Sequence, residues 1–300
     1  MSRRKFIGNV SLATAGITVL PSHVIGGLGH LARSDKLNIA GIGVGGVGAT
    51  NINNCSSENI VALCDVDWDY ASGLFEKYPG AKKYKDYRKM FDDMGDDIDS
   101  VVLATPDHTY AITAAQAMRM GKHVYLQKPL THSVYESRVM AKLASESGVA
   151  TQMGNQGHSS GGTRRLCEMI WSGMIGDVHE AHVWTDRPVW LQGLYKRPEK
   201  MELKKGLDWD LWLGPAPERP YHPAYTPVTW RDFWAFGSGA LGDFGCRWSS
   251  RRCLVARQCY CLPRRPLEIC RQCPPSWLGN GFDVIGTNRY TGTSGCSCGS

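Results

Sequence analysis

Two sets of residues have types and spacings that could do chemistry. The first is Gly43-x-Gly45-x-x-Gly48, where the missing side chains are the point. Gly43 permits a tight turn, Gly45 lets backbone amides approach a diphosphate, and Gly48 lets a following helix pack close to the preceding strand. Free amides at the start of that helix would hold the phosphates. Asp65, about 20 positions on, supplies a carboxylate that accepts a hydrogen bond from a ribose 2'-hydroxyl and repels a 2'-phosphate, so NAD is expected over NADP. Asp67 is a second candidate for the same contact. The other set is metal-type. Cys259-x-Cys261 with Cys270-x-x-Cys273 has the usual zinc spacing in one half only, and His179 and His182 fall on opposite faces of a strand, so no metal site is expected.

A glycine motif is informative only when a strand enters it and a helix leaves it. Here the apolar run from Leu37 leads directly into Gly43, and a second strand, NIVALC, ends at Asp65. Alternation continues through the strand Asp99–Ala104, a helix with Ala111, Ala114, Ala115 and Met118 on one face, and the strand Lys122–Leu126. A helix then follows from the capping-box spacing Ser133-x-x-Glu136, with Tyr135, Val139 and Leu143 at four-residue steps, ending at Gly148. This order predicts an α/β fold whose first domain, 36–150, is a doubly wound parallel Rossmann sheet. Beyond it, 151–246 reads as a partial substrate domain. It contains a polar loop, Gly154–Ser159, a strand over His179–Thr185, and a Trp-, Pro- and Tyr-rich stretch from Leu207 to Tyr225 whose rings serve core packing or wall a sugar pocket.

The ordered succession Gly43-Val44-Gly45-Gly46-Val47-Gly48, Ala104-Thr105-Pro106-Asp107-His108 and Gln127-Lys128-Pro129-Leu130 resembles the Gfo/Idh/MocA oxidoreductases, over roughly residues 36 to 246. That resemblance implies hydride transfer between a nicotinamide cofactor and a hydroxyl of a sugar, sugar derivative or cyclitol. It places Lys128 beside the nicotinamide and the reacting hydroxyl, where a cation stabilises developing alkoxide charge. It also assigns Gly46, Thr105, Pro106 and Gln127 to the cofactor, Gln127 standing where the family more often has Glu. It brings Asn155 and His158 near the substrate; within the aromatic stretch, His222 is a further candidate as a side chain exposed in a sugar pocket. Tyr110 stands where the family commonly has His. The segment Gly239–Cys246 matches the part that supplies an Asp, here Asp243, and four residues later a catalytic His. Arg247 occupies that last position, and a permanently charged guanidinium cannot act as a base. The resemblance further implies a second domain built on a mainly antiparallel sheet that serves homo-oligomerisation, and an assembly that a truncated sheet would not complete. Two other readings stay open: an NAD-dependent glycosidase of the same family, and a non-catalytic dinucleotide-binding protein.

Composition divides the chain in the same place. Of the net charge of +6, all lies from Arg247 onward, where eight Arg face two acidic residues; the preceding 26 basic and 26 acidic residues cancel. A neutral body removes the argument for a nucleic-acid partner. Seven of the eleven cysteines also fall in this tail, 247–300, which has no clear periodicity and reads as an out-of-frame translation; zinc or disulfides are its rival readings. Low solubility and little activity are expected of such a chain. At the other end, residues 1–35 resemble a twin-arginine export signal: Arg3-Arg4 precede a modest apolar run, Val10–Leu20, too short to span a bilayer stably. A periplasmic or exported location is therefore expected.

Overall fold

The computed structural model describes residues 35–184, 197–245 and 281–286. The export-type segment, Arg247 and the tail cysteines lie outside the described residues. The first domain begins with β1 (Asn38–Ile42), α1 (Val47–Asn54), β2 (Asn59–Cys64), α2 (Trp68–Lys77), β3 (Lys82–Tyr84) and α3 (Tyr87–Met94). It continues with β4 (Ser100–Leu103), α4 (Asp107–Arg119), β5 (His123–Gln127), α5 (Val134–Ser147) and β6 (Thr151–Gly154). The six strands form one sheet in the order β3-β2-β1-β4-β5-β6, with every neighbouring pair parallel. This is the Rossmann order, in which the chain reverses direction across the sheet between β1 and β4 and opens a crevice at the carboxyl ends of the strands.

Alternation along the strands distributes side chains to two cores. Ala40, Ile42, Ala62 and Cys64 face one side, buried with Met90 and Phe91 of α3 and Ala114, Ala117 and Met118 of α4. Ile39, Leu63 and Val102 face the other, with Ile52 of α1 and Leu74 and Phe75 of α2. Helices on both faces give the doubly wound class. Ala111, Ala114, Ala115 and Met118 are buried as their spacing predicts. The helix α5 starts with a full capping box at Ser133 and Glu136 and ends at Gly148 in the left-handed conformation, φ 66°. Its packed face differs from the expected one. Tyr135 is 76% exposed, while Met140, Leu143 and Ala144 lie against the core. Leu143 of the expected stripe does pack, and the large apolar residues left in water, Val134 and Tyr135, are both in the first turn.

Past β6 the chain forms a short turn (Gln156–Ser159), α6 (Gly161–Trp171), β7 (Val178–Trp184), α7 (Trp209–Leu213) and, after a second short turn at Thr229–Asp232, β8 (Gly281–Gly286). β7 and β8 pair antiparallel. Among the described residues, the antiparallel second sheet is a pair of strands, one of them drawn from the tail in which no strand is expected from periodicity. The aromatic stretch is mainly core: Trp212, Tyr221, Tyr225, Trp230 and Phe236 are buried together, with Trp209 stacked on Trp212 at 4.8 Å between ring centroids. Among the described residues, no helix is long and apolar enough to cross a membrane.

Candidate active site

The crevice at the carboxyl edge of the sheet holds a cavity of about 410 Å³. One end of it is the glycine turn. Gly43 has φ 73°, and a Cβ there would come within 2.7 Å of the Thr105 amide nitrogen, so both conformation and space require glycine. A Cβ on Gly48 would overlap the Gly43 carbonyl, which is how closely α1 approaches the turn. Gly46 caps α1 with no side-chain hydrogen bond, and while the Gly48 amide turns back to the Gly45 carbonyl at 3.0 Å, no side chain bonds the helix terminus where a phosphate would bind. The phenol ring of Tyr70, from α2, lies over Gly45 and Gly46 and lines the cavity. Asp65 is buried at the end of β2. Its Oδ2 accepts from the Gly45 amide and its Oδ1 from the Asp67 amide, each at 2.9 Å. Burial outweighs these bonds and lifts its pKa to about 6. Asp67 instead caps α2 by accepting from the Tyr70 amide, and it pairs with Lys204 at 2.9 Å.

The residues between Lys204 and Asp208 form a strap across this end. The Asp208 amide donates to the Val66 carbonyl at 2.8 Å, the Trp68 amide to the Gly206 carbonyl at 3.3 Å, and Asp67 bridges Leu207 antiparallel. Leu207, Leu211 and Trp212 thereby become walls of the same cavity.

The other end carries the charged groups. Lys128, just past β5, donates to Asp243 Oδ1 at 2.5 Å and to the Asp243 carbonyl at 3.1 Å, with both side chains mostly buried. Arg231 joins the same carboxylate at 3.5 Å, donates to the Val228 carbonyl at 2.9 Å, and stacks 4.3 Å from the Trp230 ring centre. Gln127 is buried against Gly154, whose added Cβ would meet its amide carbon at 2.8 Å, and its Nε2 has no hydrogen-bond partner. Thr105 and Thr109 share a hydroxyl bond of 2.8 Å at the start of α4. Behind the cavity, Asp107 is buried with one oxygen lacking a hydrogen-bond partner, and its pKa rises to about 7 through burial first and the Asp243 charge second.

Gly43, Gly45, Asp65, Thr105, Pro106, Gln127, Lys128 and Asp243 therefore line one cavity, assembled from segments 200 residues apart. Gly46 and Gly48 shape the turn without lining it. Asn155, His158 and His222 are not among the lining residues, and Gln156 is the member of that polar loop that is. Gln156 donates to the Tyr125 hydroxyl at 3.1 Å, while the His222 Nδ1 accepts from the Ala224 amide in its own turn. Arg231, Tyr70 and Asp107 were not legible as site residues. Arg231 had one signal, being the only Lys or Arg between Pro220 and Cys246. Among the described residues, no three His, Cys, Asp or Glu side chains cluster as metal ligands.

An NAD-sized cofactor fits these observations. The open helix terminus would take its diphosphate and Asp65 a ribose hydroxyl. The unpartnered Gln127 amide and Lys128 would stand at the nicotinamide end.

Comparison with known proteins agrees. The family model described as "Oxidoreductase family, NAD-binding Rossmann fold" matches residues 37–155, and the one described as "Oxidoreductase family, C-terminal alpha/beta domain" matches 172–250. The inositol 2-dehydrogenase of Rhodococcus jostii is 31% identical over 51% of this chain and 42% of its own. The myo-inositol 2-dehydrogenase of Thermotoga maritima is 23% identical over 51% of this chain and 46% of its own. The chain thus spans less than half the length of these relatives. The crystal structure of GenD2 from gentamicin A biosynthesis, in complex with NAD, superposes with a TM-score of 0.60 over 93% of this chain and 75% of that one, at 20% identity, a likeness of fold.

Proposed function

Since the chain belongs to the Gfo/Idh/MocA oxidoreductase family, with an NAD-binding Rossmann domain at 37–155, we propose that it is built for NAD-dependent hydride transfer at a hydroxyl-bearing carbon of a sugar, sugar derivative or cyclitol. One observation carries the reading: the glycine turn, Asp65 and the Lys128–Asp243 pair open onto a single cavity. The inositol dehydrogenases among its relatives support the substrate class. When bound, the cofactor supplies the hydride acceptor. The chain's own residues do the rest. The amides of the turn hold the diphosphate, Asp65 orients a ribose, and Leu207 and Trp212 keep water from the cavity. Lys128 presents a cation to the oxygen that becomes an alkoxide, held in place by Asp243. Arg247 stands where the resemblance expects a base, so turnover is expected far below that of a complete site.

The test is calorimetric titration of the full chain with NAD and NADP. Binding of NAD, weaker binding of NADP, and loss of both in Gly48→Val support the reading. A chain that is folded by circular dichroism and binds neither nucleotide overturns it.

Two readings of the termini belong with it. The pair Arg3-Arg4 ahead of the apolar run supports export through the twin-arginine route, and fractionation of cells should move the protein into the cytoplasm when both are changed to Lys. The abrupt change in composition at Arg247 supports a shifted frame; coding DNA that reads through this region in one uninterrupted natural frame would refute it.

A further inference from the structure

Asp107 is not used by the reading above, yet it has the physical marks of a functional carboxyl group. It is the first residue of α4, 2% exposed, and its Oδ1 has no hydrogen-bond partner. Its Oδ2 accepts from the Ser238 hydroxyl at 3.3 Å. A carboxylate buried with so little solvation holds its charge poorly unless cations face it. The groups that face it are Asp243, Arg231 and Lys128, together with Ser238. On its own helix Tyr110 lies one turn along and feels both carboxylates. His108, next in sequence, turns its ring away to the carbonyls of Phe236 and Trp212.

Counting charge in this cluster gives two cations, Lys128 and Arg231, and two carboxylates, Asp243 and Asp107. With Asp107 ionised the cluster is neutral, and with Asp107 protonated it carries one positive charge. An oxidised nicotinamide ring is positively charged and a reduced one is not. The cluster and the ring therefore favour opposite protonation states of the same group, and by linkage each must shift the other.

We propose that Asp107, buried in the field of the Lys128–Asp243–Arg231 cluster, is a proton store matched to the redox state of the cofactor, holding one proton when the reduced nucleotide is bound and releasing it when the oxidised nucleotide binds. In turnover this balances. The alcohol C–H leaves as hydride to the cofactor and the O–H proton leaves to solvent, while Asp107 takes up one proton from solvent as the ring loses its positive charge, so the carbonyl product forms with no change in the total charge of the pocket. Asp243 lines the cavity and Asp107 does not, so Asp107 acts through its neighbour as a positioning and proton-holding residue. Because burial brings its pKa to about 7, Asp107 is half-protonated at neutral pH and can move in either direction.

This inference rests on the proposed cofactor, and its test separates the two. The full chain is titrated calorimetrically with NAD and, separately, NADH at pH 7 in buffers of different ionisation enthalpy, which counts protons released per nucleotide bound. NAD binding should release up to about half a proton and NADH binding should take up about as much, so the two counts should differ by about one proton. Taking the difference cancels the contribution of Asp65, which meets the same ribose in both. In Asp107→Asn, whose amide keeps the shape and cannot ionise, both nucleotides should still bind and the difference should vanish. Infrared difference spectra of the unaltered chain give a second measure: the carbonyl stretch of a protonated carboxyl group should fall on adding NAD and not on adding NADH. Equal proton counts for the two nucleotides, or a difference that survives in Asp107→Asn, overturn the proton store and leave the cofactor reading standing. No heat with either nucleotide overturns both.

Discussion

At the scale of the residue, the buried carboxyls show how environment sets chemistry. Asp65 and Asp107 are both lifted by burial, to about 6 and about 7, but only Asp65 has backbone amides on both oxygens. For Asp107 the consequence for stability can be worked out in sign. A raised carboxyl pKa means that between pH 4 and 7, roughly, the folded chain binds more protons than the unfolded one. Stability from this group is therefore gained as pH falls through about 7 and lost as pH rises through it. Asp107→Asn removes the ionisation, so it should stabilise the protein by up to about 4 kcal/mol at pH 8 and by only ~1–2 kcal/mol at pH 5. Urea unfolding at the two pH values checks this, and an equal effect at both would contradict it. Lys128→Met belongs at the same scale. It takes from Asp243 its ammonium partner and should reduce any turnover at least ~100-fold, with NAD affinity changed far less, in a comparison of initial rates with calorimetric binding.

The strap from Lys204 to Asp208 is the element that the sequence concealed. It joins the second half of the chain to the end of β2 by two backbone hydrogen bonds and one ion pair. Gly206 turns there at φ 84°, and a Cβ would come within 2.7 Å of the Asp69 carboxyl carbon. Gly206→Ala should cost about 1–3 kcal/mol and weaken NAD binding, because the strap carries Leu207 into the cavity. Thermal denaturation followed in parallel with nucleotide titration would show whether the two effects travel together. The first domain was far more legible. Strand, glycine turn, helix and Asp65 are consecutive in sequence, and local patterning fixes each, so β1, α1, β2 and the capping box of α5 stand where expected. The wall of the cavity was not. Arg231 and Trp230 reach it through packing between distant segments, which no local period encodes. His222 was singled out for its chemical type, and it spends its ring nitrogen on its own turn. Tyr135 shows the same limit on a smaller scale: a four-residue step marks an apolar stripe but not which side of the stripe meets the sheet.

Taken as a whole molecule, the first domain closes its two cores well, while the second keeps apolar surface in water. Trp234 is 84% exposed, with its ring 6.2 Å from that of His132, and Leu241 is 76% exposed. Exposed apolar side chains of this size favour self-association. Trp234→Ser should shift the chain toward monomer in sedimentation velocity and raise its soluble yield; an unchanged distribution would place the sticky surface elsewhere. The contact between the two halves has a finer property. His108 directs Nδ1 to the Phe236 carbonyl at 3.3 Å and Nε2 to the Trp212 carbonyl at 3.1 Å, and burial lowers its pKa to about 4. An uncharged imidazole has a single N–H for these two acceptors. The Phe236 carbonyl already accepts the His108 amide at 3.2 Å, so a proton on Nε2, given to Trp212, would let this one residue clasp both segments of the second half to the start of α4 with no charge left in the seam.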